Sequence, residues 1–418
     1  MVDVLILVGV LVAVFVGFNI GGSSTGVAFG PAVGSRIVRK VTAGALFIVF
    51  AFLGAWTIGR KVIDTMSSQI VDAAVFTPEA SVVVLFFTGL SLLISNVYGV
   101  PASTSMTAVG AIVGLGLATG TLNAALMFTI LSAWIVAPLI AVFTGAIVGR
   151  YLYPYLDATL AFGRLEDPLV GIDRRGPIPR PRINENAASR DIGGAILVVA
   201  IACYMGFSAG ASNAANAVAP LVGNGTIDPS PGILLAVGAI GLGGFTIARR
   251  TLATVGDDIT ELPILAALIV STVGATIITV LSWLGIPASL AVSTTSCIIG
   301  LGWGRASRAR TLAEMAAPSP TERSTLTATT GALKASPTTR SDDTPASPTV
   351  GELAEGESPD TDQQVADGGV PSIGEEESRE LSAESLFDPT ATARIVFLWI
   401  LTPVLSLVGA YLLFSLIT

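Results

Sequence analysis

The chain has 418 residues, of which 52% are hydrophobic and 12% are charged, and its mean hydropathy is +0.75. These values exclude an ordinary soluble domain. The formal net charge is −8, and we expect no nucleic-acid partner.

Hydrophobic runs that are long enough to cross, or nearly cross, a bilayer recur along the chain. In order, they cover residues 4–18, 43–59, 82–94, 127–148, 192–205, 234–247, 262–283 and 395–417. Only three residues precede the first run and none of them is basic, so we interpret it as a retained helix and not as a signal peptide. The runs predict an all-α polytopic protein of the cell membrane, with about 10–12 membrane segments in the lipid bilayer.

Composition divides the chain into five segments. Residues 1–150 and 191–305 are hydrophobic and are predicted to be transmembrane repeats 1 and 2, joined by a polar connector, 151–190. Residues 306–390 are predicted to be a disordered acidic loop, because residues 341–390 hold fourteen acidic residues against a single arginine. Residues 391–418 are predicted to be a C-terminal transmembrane helix. The basic residues Arg305, Arg308 and Arg310 favour a cytoplasmic position for the acidic loop.

Two polar islands lie within the hydrophobic sequence and match each other. Residues 17–24 read GFNIGGSS, and residues 206–213, 189 positions later, read GFSAGASN. The match continues in the same register, with AFGPAVG at 28–34 against AVAPLVG at 217–223. Polar groups in a membrane segment are costly unless they line a site, so we interpret the islands as two halves of one site.

Two further motifs repeat at nearly the same spacing. Residues 59–65 match residues 248–254, and the tetrapeptide STSM at 103–106 matches STTS at 293–296. The second pair is followed by glycines, which we attribute to close helix packing: Gly110, Gly114, Gly300 and Gly304. Separate motifs in one register indicate an internal duplication. We therefore predict two inverted-topology repeats with broken or re-entrant helices, as in secondary transporters.

The chemistry of these motifs favours an ion site. Glycine lets a helix open its backbone, hydroxyls and amides supply hydrogen-bond donors and acceptors, and a helix that begins there directs its positive end at an anion. Carbonyl groups of the same break can hold a small cation. Asp257, Asp258 and Glu261 could bind a coupling cation, but we favour a solvated turn.

The motifs resemble those of the inorganic phosphate transporter family, which are cation-coupled phosphate permeases. Residues 21–35 (GGSSTGVAFGPAVGS) and 210–223 (GASNAANAVAPLVG) are similar to its duplicated signature, GANDVANA followed by FGTSVGS. The Ser-Thr-rich tetrapeptides are similar to its STTH motif, and residues 254–260 (TVGDDIT) to its TVGxxIT motif. The resemblance covers most of the chain, apart from the connector and the acidic loop.

The chain departs from the family pattern at the charged positions. Ser24 and Asn213 stand where the family has aspartates, and Met106 and Ser296 where it has histidines. Asn216 is the same residue type that the family has at this position. The chain therefore resembles a divergent prokaryotic member, and its acidic excess with only three lysines is common in salt-loving organisms.

The resemblance implies a symporter of inorganic phosphate, coupled to Na⁺ or H⁺. It implies that the anion is enclosed near the membrane midplane by hydroxyls and amides, those of Ser23, Ser24, Ser103, Thr104, Ser105, Ser212, Asn213, Asn216, Ser293, Thr294 and Thr295. The candidate neighbours of a coupling Na⁺ are Asn19, Ser24 and Asn213.

Three alternatives stay open. Loss of both carboxylates removes the natural acceptor for the proton of hydrogen phosphate, which shifts weight towards sulfate or another oxyanion. A membrane sensor derived from a transporter, or a channel, is also compatible with the degenerate signature. An enzyme is not expected, because the chain has no histidine to pair with a nucleophile and no cofactor motif. A homodimer is one alternative for the assembly.

Overall fold

The computed structural model describes residues 2–35, 37–98, 103–160, 170–173, 180–183, 189–246, 263–316 and 389–417. The chain forms two compact units, Met1–Arg308 with Ser378–Thr418, and Ala309–Glu377. Both predicted transmembrane repeats belong to the first unit. Of the second unit, the structure describes 309–316, a helical segment.

Ten long helices make up most of the described chain. Eight of them are single stretches: α1 (Val2–Gly34), α3 (Pro78–Val97), α4 (Thr104–Thr119), α6 (Ser189–Gly223), α7 (Pro229–Thr246), α8 (Ile264–Trp283), α9 (Leu290–Ala316) and α10 (Pro389–Ile417). Helix α2 comprises Lys40–Gly54, a π-helical turn Ala55–Gly59, Arg60–Asp64 and a second π-helical turn Thr65–Gln69. Helix α5 comprises Ala124–Ile147, a π-helical turn Val148–Leu152 and Tyr153–Leu160.

The remaining described elements are short. A 3₁₀ turn covers Ala73–Val75, and two antiparallel strands, β1 (Val170–Asp173) and β2 (Arg180–Ile183), pair within the connector. Eight helices of the described part are long and apolar enough to cross a membrane, and α4 is apolar but shorter. The prediction of an all-α polytopic membrane protein is confirmed, while the inverted relation of the two repeats stays a prediction.

Some predicted features fall outside the described residues. These are the motif at 248–254, the acidic residues Asp257, Asp258 and Glu261, and positions 317–388 of the acidic loop. Helix α9 continues to Ala316, past residue 306, where the loop was predicted to begin.

Both polar islands lie inside continuous helices, so the prediction that the backbone opens there is wrong. Helix α1 runs unbroken through the first island and α6 through the second. The island glycines serve close packing instead: a Cβ at Gly21 would collide with the Ile240 carbonyl of α7, and one at Gly210 with Ala51 of α2. A continuous helix keeps nearly all of its backbone groups paired in a region that excludes water, which favours it over a break.

The two halves of the chain are interleaved. Helix α1 of the first half packs on α7 of the second, and α6 of the second half packs on α2 of the first. This exchange brings α1 and α6 together at the centre of the unit. The helix interruptions lie between α3 and α4 and between α8 and α9, where the chain re-enters helix beside α1 and α6.

The glycine pairs in α4 and α9 confirm the packing interpretation. A Cβ at Gly110 would lie 2.6 Å from the Pro403 oxygen of α10, and one at Gly114 would lie 2.5 Å from the oxygen of Leu407. In α9, a Cβ at Gly300 or Gly304 would collide with backbone carbonyls of α5. Each pair therefore lets one long helix lie directly against the shorter helix that carries the site.

We expect Gly300→Ala to destabilise the protein, because the added methyl group meets the backbone oxygen of Val142, which cannot rotate away. Overpacking of this kind costs about 1–3 kcal/mol. Thermal unfolding of the detergent-solubilised protein measures the effect. Gly238→Ala is the matched control, since a Cβ there meets nothing within 4 Å. Equal melting temperatures for the two variants would show that α5 and α9 are not in close contact.

Candidate anion-binding site

Polar side chains from α1, α4 and α6 converge with the start of α9 around a small cavity. Its volume is about 20 Å³, which is room for about one water molecule. The lining residues are Ser23, Ser24, Val27, Thr104, Asn213, Ser289, Leu290 and Ala291. A tetrahedral oxyanion has five heavy atoms, so binding one requires the cavity to widen.

Asn213 is the centre of the hydrogen-bond network beside this cavity, and its side chain is 5% exposed. Its Oδ1 accepts a hydrogen bond from Thr104 Oγ1 at 2.7 Å and another from Asn216 Nδ2 at 3.3 Å. Its Nδ2 donates to Ser24 Oγ at 3.2 Å. Ser24 and Asn213 are 189 positions apart, which is the repeat spacing, so equivalent positions of the two islands touch.

A second group of hydroxyls ties this network to the loop between α8 and α9. Ser105 Oγ and Ser212 Oγ both donate to the carbonyl oxygen of Ala288, at 2.9 and 2.6 Å. Asn216 Nδ2 donates to Ser105 Oγ at 3.2 Å, so the same amide contacts both groups. Helices α4 and α6 thereby hold the loop against the cavity.

Two helices begin at the cavity. Helix α4 begins at Thr104, after Ser103 at its N-cap position, and α9 begins at Leu290. Ser289 precedes α9, and its Oγ accepts a hydrogen bond from the Val292 amide at 3.4 Å. The N-terminal amides of a helix carry a partial positive charge, so both helix starts favour an anion.

The cavity lining has no charged side chain. Among the described residues, the buried polar side chains are all serine, threonine or asparagine. An anion here would be stabilised by hydroxyl, amide and backbone N–H donors and by the helix dipoles, without an arginine or lysine. The described residues also hold no cluster of histidine, cysteine, aspartate or glutamate able to bind a metal.

The structure brings most of the predicted residues together. Ser23, Ser24, Thr104 and Asn213 line the cavity. Three more are linked to Asn213 by a chain of hydrogen bonds, in the order Asn216, Ser105 and Ser212. The hydroxyl of Ser103 is buried at the N-cap of α4 and has no hydrogen-bond partner among the residues that the structure describes.

The cluster Ser293, Thr294 and Thr295 does not line the cavity. Helix α9 begins earlier than expected, so these residues lie in the helix body, and Thr294 Oγ1 donates to the Leu290 carbonyl at 3.0 Å. The sequence interpretation missed the residues that occupy the helix start instead: Ala288, Ser289, Leu290 and Ala291.

A second alignment of the two repeats identifies the residues at the start of α9. Residues 99–103 read GVPAS and residues 285–289 read GIPAS, which pairs Ser103 with Ser289. The STSM and STTS alignment pairs Ser103 with Ser293, four residues later, which is about one helical turn. Helix α9 therefore carries about one extra turn before its glycine pair.

The candidate cation neighbours fall into two places. Ser24 and Asn213 contact each other at the cavity. Asn19 belongs to a separate pair, in which Asn96 Nδ2 donates to both its Oδ1 and its carbonyl oxygen at 3.1 Å. The Asn19 amide itself donates to the Phe15 carbonyl at 2.9 Å.

The chain is similar in sequence to known transport proteins. A family model described as the phosphate transporter family matches residues 20–319. The sulfate permease CysP of Bacillus subtilis is 32% identical over 275 residues, which cover 66% of this chain and 70% of CysP. A protein of Pyrococcus furiosus that is provisionally named a phosphate permease is 24% identical, over 66% of this chain and 82% of its own.

A solved structure shares the fold. It is described as the sodium-dependent phosphate transporter and superimposes with a TM-score of 0.57, at 21% sequence identity. The superposition covers 72% of this chain and 90% of the other.

Proposed function

This chain belongs to the phosphate transporter family, and on that premise we propose that it is a secondary active transporter of an inorganic tetrahedral oxyanion, with sulfate as the favoured substrate. The carrying observation is the cavity between the starts of α4 and α9, whose polar lining residues, among those that the structure describes, are serine, threonine and asparagine, with no carboxylate. At neutral pH sulfate is fully ionised, so its site needs to supply hydrogen-bond donors only. Phosphate at the same pH still carries at least one proton, so its site must also supply an acceptor.

The hydrogen bonds of Asn213 support sulfate over phosphate. Its Oδ1 is the strongest acceptor in the cavity lining, and it already accepts from Thr104 and from Asn216. A P–OH group would have to displace one of these donors, and leaving a buried donor unpaired costs about 1–3 kcal/mol. The sulfate permease of Bacillus subtilis among the relatives agrees with this preference.

The neutral lining also supports symport. Moving each negative charge inward against the membrane potential costs about 2.3 kcal/mol per 100 mV. No charged side chain lines the cavity to offset a dianion, so co-transported Na⁺ or H⁺ would have to carry the balancing charge. In this conformation the cavity is too small for the anion, which corresponds to a closed state in an alternating-access cycle.

Phosphate is the second candidate, because it is the substrate named in the description of the family. Ser23 keeps acceptor capacity, since its Oγ donates to the Ile20 carbonyl and retains its lone pairs. Its hydroxyl lines the cavity and could accept a hydrogen bond from the P–OH group of phosphate.

Uptake into proteoliposomes tests the proposal. Purified protein is reconstituted, and ³⁵S-sulfate and ³²P-phosphate are supplied under an inward Na⁺ gradient, an inward proton gradient or neither. We expect gradient-driven accumulation of sulfate that excess phosphate does not compete away. Accumulation of phosphate with no sulfate uptake would reverse the choice of anion. Equilibration without accumulation would indicate a channel, and no ion-driven uptake at all would favour a sensor.

A further inference from the structure

The loop between α8 and α9 is held by a tryptophan from a third helix. Trp134 of α5 donates its indole Nε1–H to the carbonyl oxygen of Pro287 at 2.7 Å. The indole is half-buried, and nothing in the sequence motifs singled it out. The loop begins at Gly285, whose φ of 76° lies in the left-handed region, and it ends at the cavity.

This hydrogen bond acts on a peptide group next to the site. The Pro287 carbonyl and the Ala288 N–H belong to one planar trans peptide and point in opposite directions. Drawing the carbonyl towards α5 therefore turns the Ala288 N–H away from α5. The next carbonyl, that of Ala288, accepts from Ser105 and Ser212, so the peptides on both sides of Ala288 are held.

Helix α5 also supports the rest of α9. A Cβ at Gly145 or Gly149 of α5 would collide with the backbone of α9, and Gly300 and Gly304 make the reciprocal approach. Trp134 extends this contact beyond the start of α9 to the preceding loop. Helix α5 thus lies along α9 and fixes its first turn, which contains the cavity residues Leu290 and Ala291.

We propose that Trp134 is a positioning residue for substrate binding, which acts through the Pro287 carbonyl to hold the start of α9 in the geometry that binds the oxyanion. This inference rests on the proposed function. A tryptophan that only anchors a helix at the membrane interface directs its N–H at lipid headgroups or water. The N–H of Trp134 is directed at a backbone carbonyl one residue before the one that Ser105 and Ser212 bind.

Trp134→Phe tests the proposal, because it keeps an aromatic ring and removes the donor. We expect the KM for sulfate uptake to rise about tenfold, while Vmax per folded protein stays within about twofold, since the loss of one hydrogen bond misaligns the binding groups without removing them. Trp303→Phe is the matched control: it lies on α9, is 64% exposed, and should leave KM unchanged. Trp134→His, which retains a ring N–H, should recover part of the loss in KM.

A structural role alone would give a different pattern. If Trp134 contributes only to folding, the variant will contain fewer correctly folded molecules. Vmax per total protein would then fall while KM stayed unchanged, and that result would overturn the proposal. Should Trp134→Phe not elute as a folded protein, Trp134→Tyr is used instead, since its hydroxyl lies farther from the backbone than the indole nitrogen, and the same rise in KM is expected. If the wild type transports sulfate and the variants have an unchanged KM, only this inference is overturned. If the wild type shows no uptake, both the proposed function and this inference are overturned.

Discussion

Asn213→Ala is expected to reduce Vmax/KM for oxyanion uptake about a hundredfold. The substitution removes the side chain that joins Ser24, Thr104 and Asn216, and it leaves their donors and acceptors without that partner. A hydrogen bond to a charged group contributes about 1.5–3 kcal/mol, and about 1.4 kcal/mol corresponds to a factor of ten, so loss of the hydrogen bond from the Asn213 amide to the anion accounts for the expected reduction. Initial rates of radiolabelled sulfate uptake over a concentration series measure it.

Ser208→Ala is the matched control for this variant. Ser208 lies on the same helix, is fully buried and donates a hydrogen bond to the Ala275 carbonyl at 3.0 Å, outside the cavity lining. It should lower the melting temperature, because it removes one buried hydrogen bond, but keep near wild-type uptake. Equal loss of uptake in both variants would mean that Asn213 contributes only to folding.

Asn213→Asp is expected to reverse the anion preference, from sulfate to phosphate. The carboxylate would repel a bound anion by about 4 kcal/mol per pair of unit charges at 4 Å and an effective dielectric constant of 20. Phosphate recovers part of this cost by donating a hydrogen bond from its P–OH group to the carboxylate, which sulfate cannot do. The ratio of sulfate to phosphate uptake, measured by mutual competition, should fall by at least about tenfold.

The pH dependence of Asn213→Asp gives an independent check. Protonation of the introduced carboxyl group removes its negative charge, and with it the repulsion of the bound anion. Sulfate uptake by this variant should therefore rise as the pH falls, relative to wild type. Asn224→Asp makes the same chemical change beyond the end of α6, outside the cavity lining, and should alter neither ratio nor pH profile. An unchanged ratio in Asn213→Asp would show that residue 213 does not contact the anion.

Much of the site was predictable because the duplication marks it. The islands, the STSM motif and the family signature identified seven of the side chains that line the cavity or belong to the hydrogen-bond network beside it, among them Ser24, Thr104 and Asn213. The prediction was wrong at the start of α9, where the two repeats were aligned in the wrong register. STTS at 293–296 matches STSM more closely than the residues after Pro287 do, yet it lies in the body of α9.

The role of the island glycines was also misassigned. Glycine permits both an open backbone and a close helix approach, and the local sequence is the same in the two cases. Gly21 and Gly210 could be assigned only when Ile240 and Ala51 were found against them. The same holds for Trp134, whose partner lies 153 positions away.

The sequence by itself determined that the protein lies in a membrane, that its polar motifs recur at a spacing of 189–190 residues, and that the two polar islands carry no charged side chain, because composition and spacing are properties of the chain alone. The tertiary structure decided which of those groups meet. Helix α1 crosses onto α7 and α6 onto α2, and this exchange alone places Ser24 against Asn213 and the loop carbonyl of Ala288 against Ser212. Such contacts join residues far apart in the chain, so they depend on how whole helices pack and not on the local pattern around any one residue.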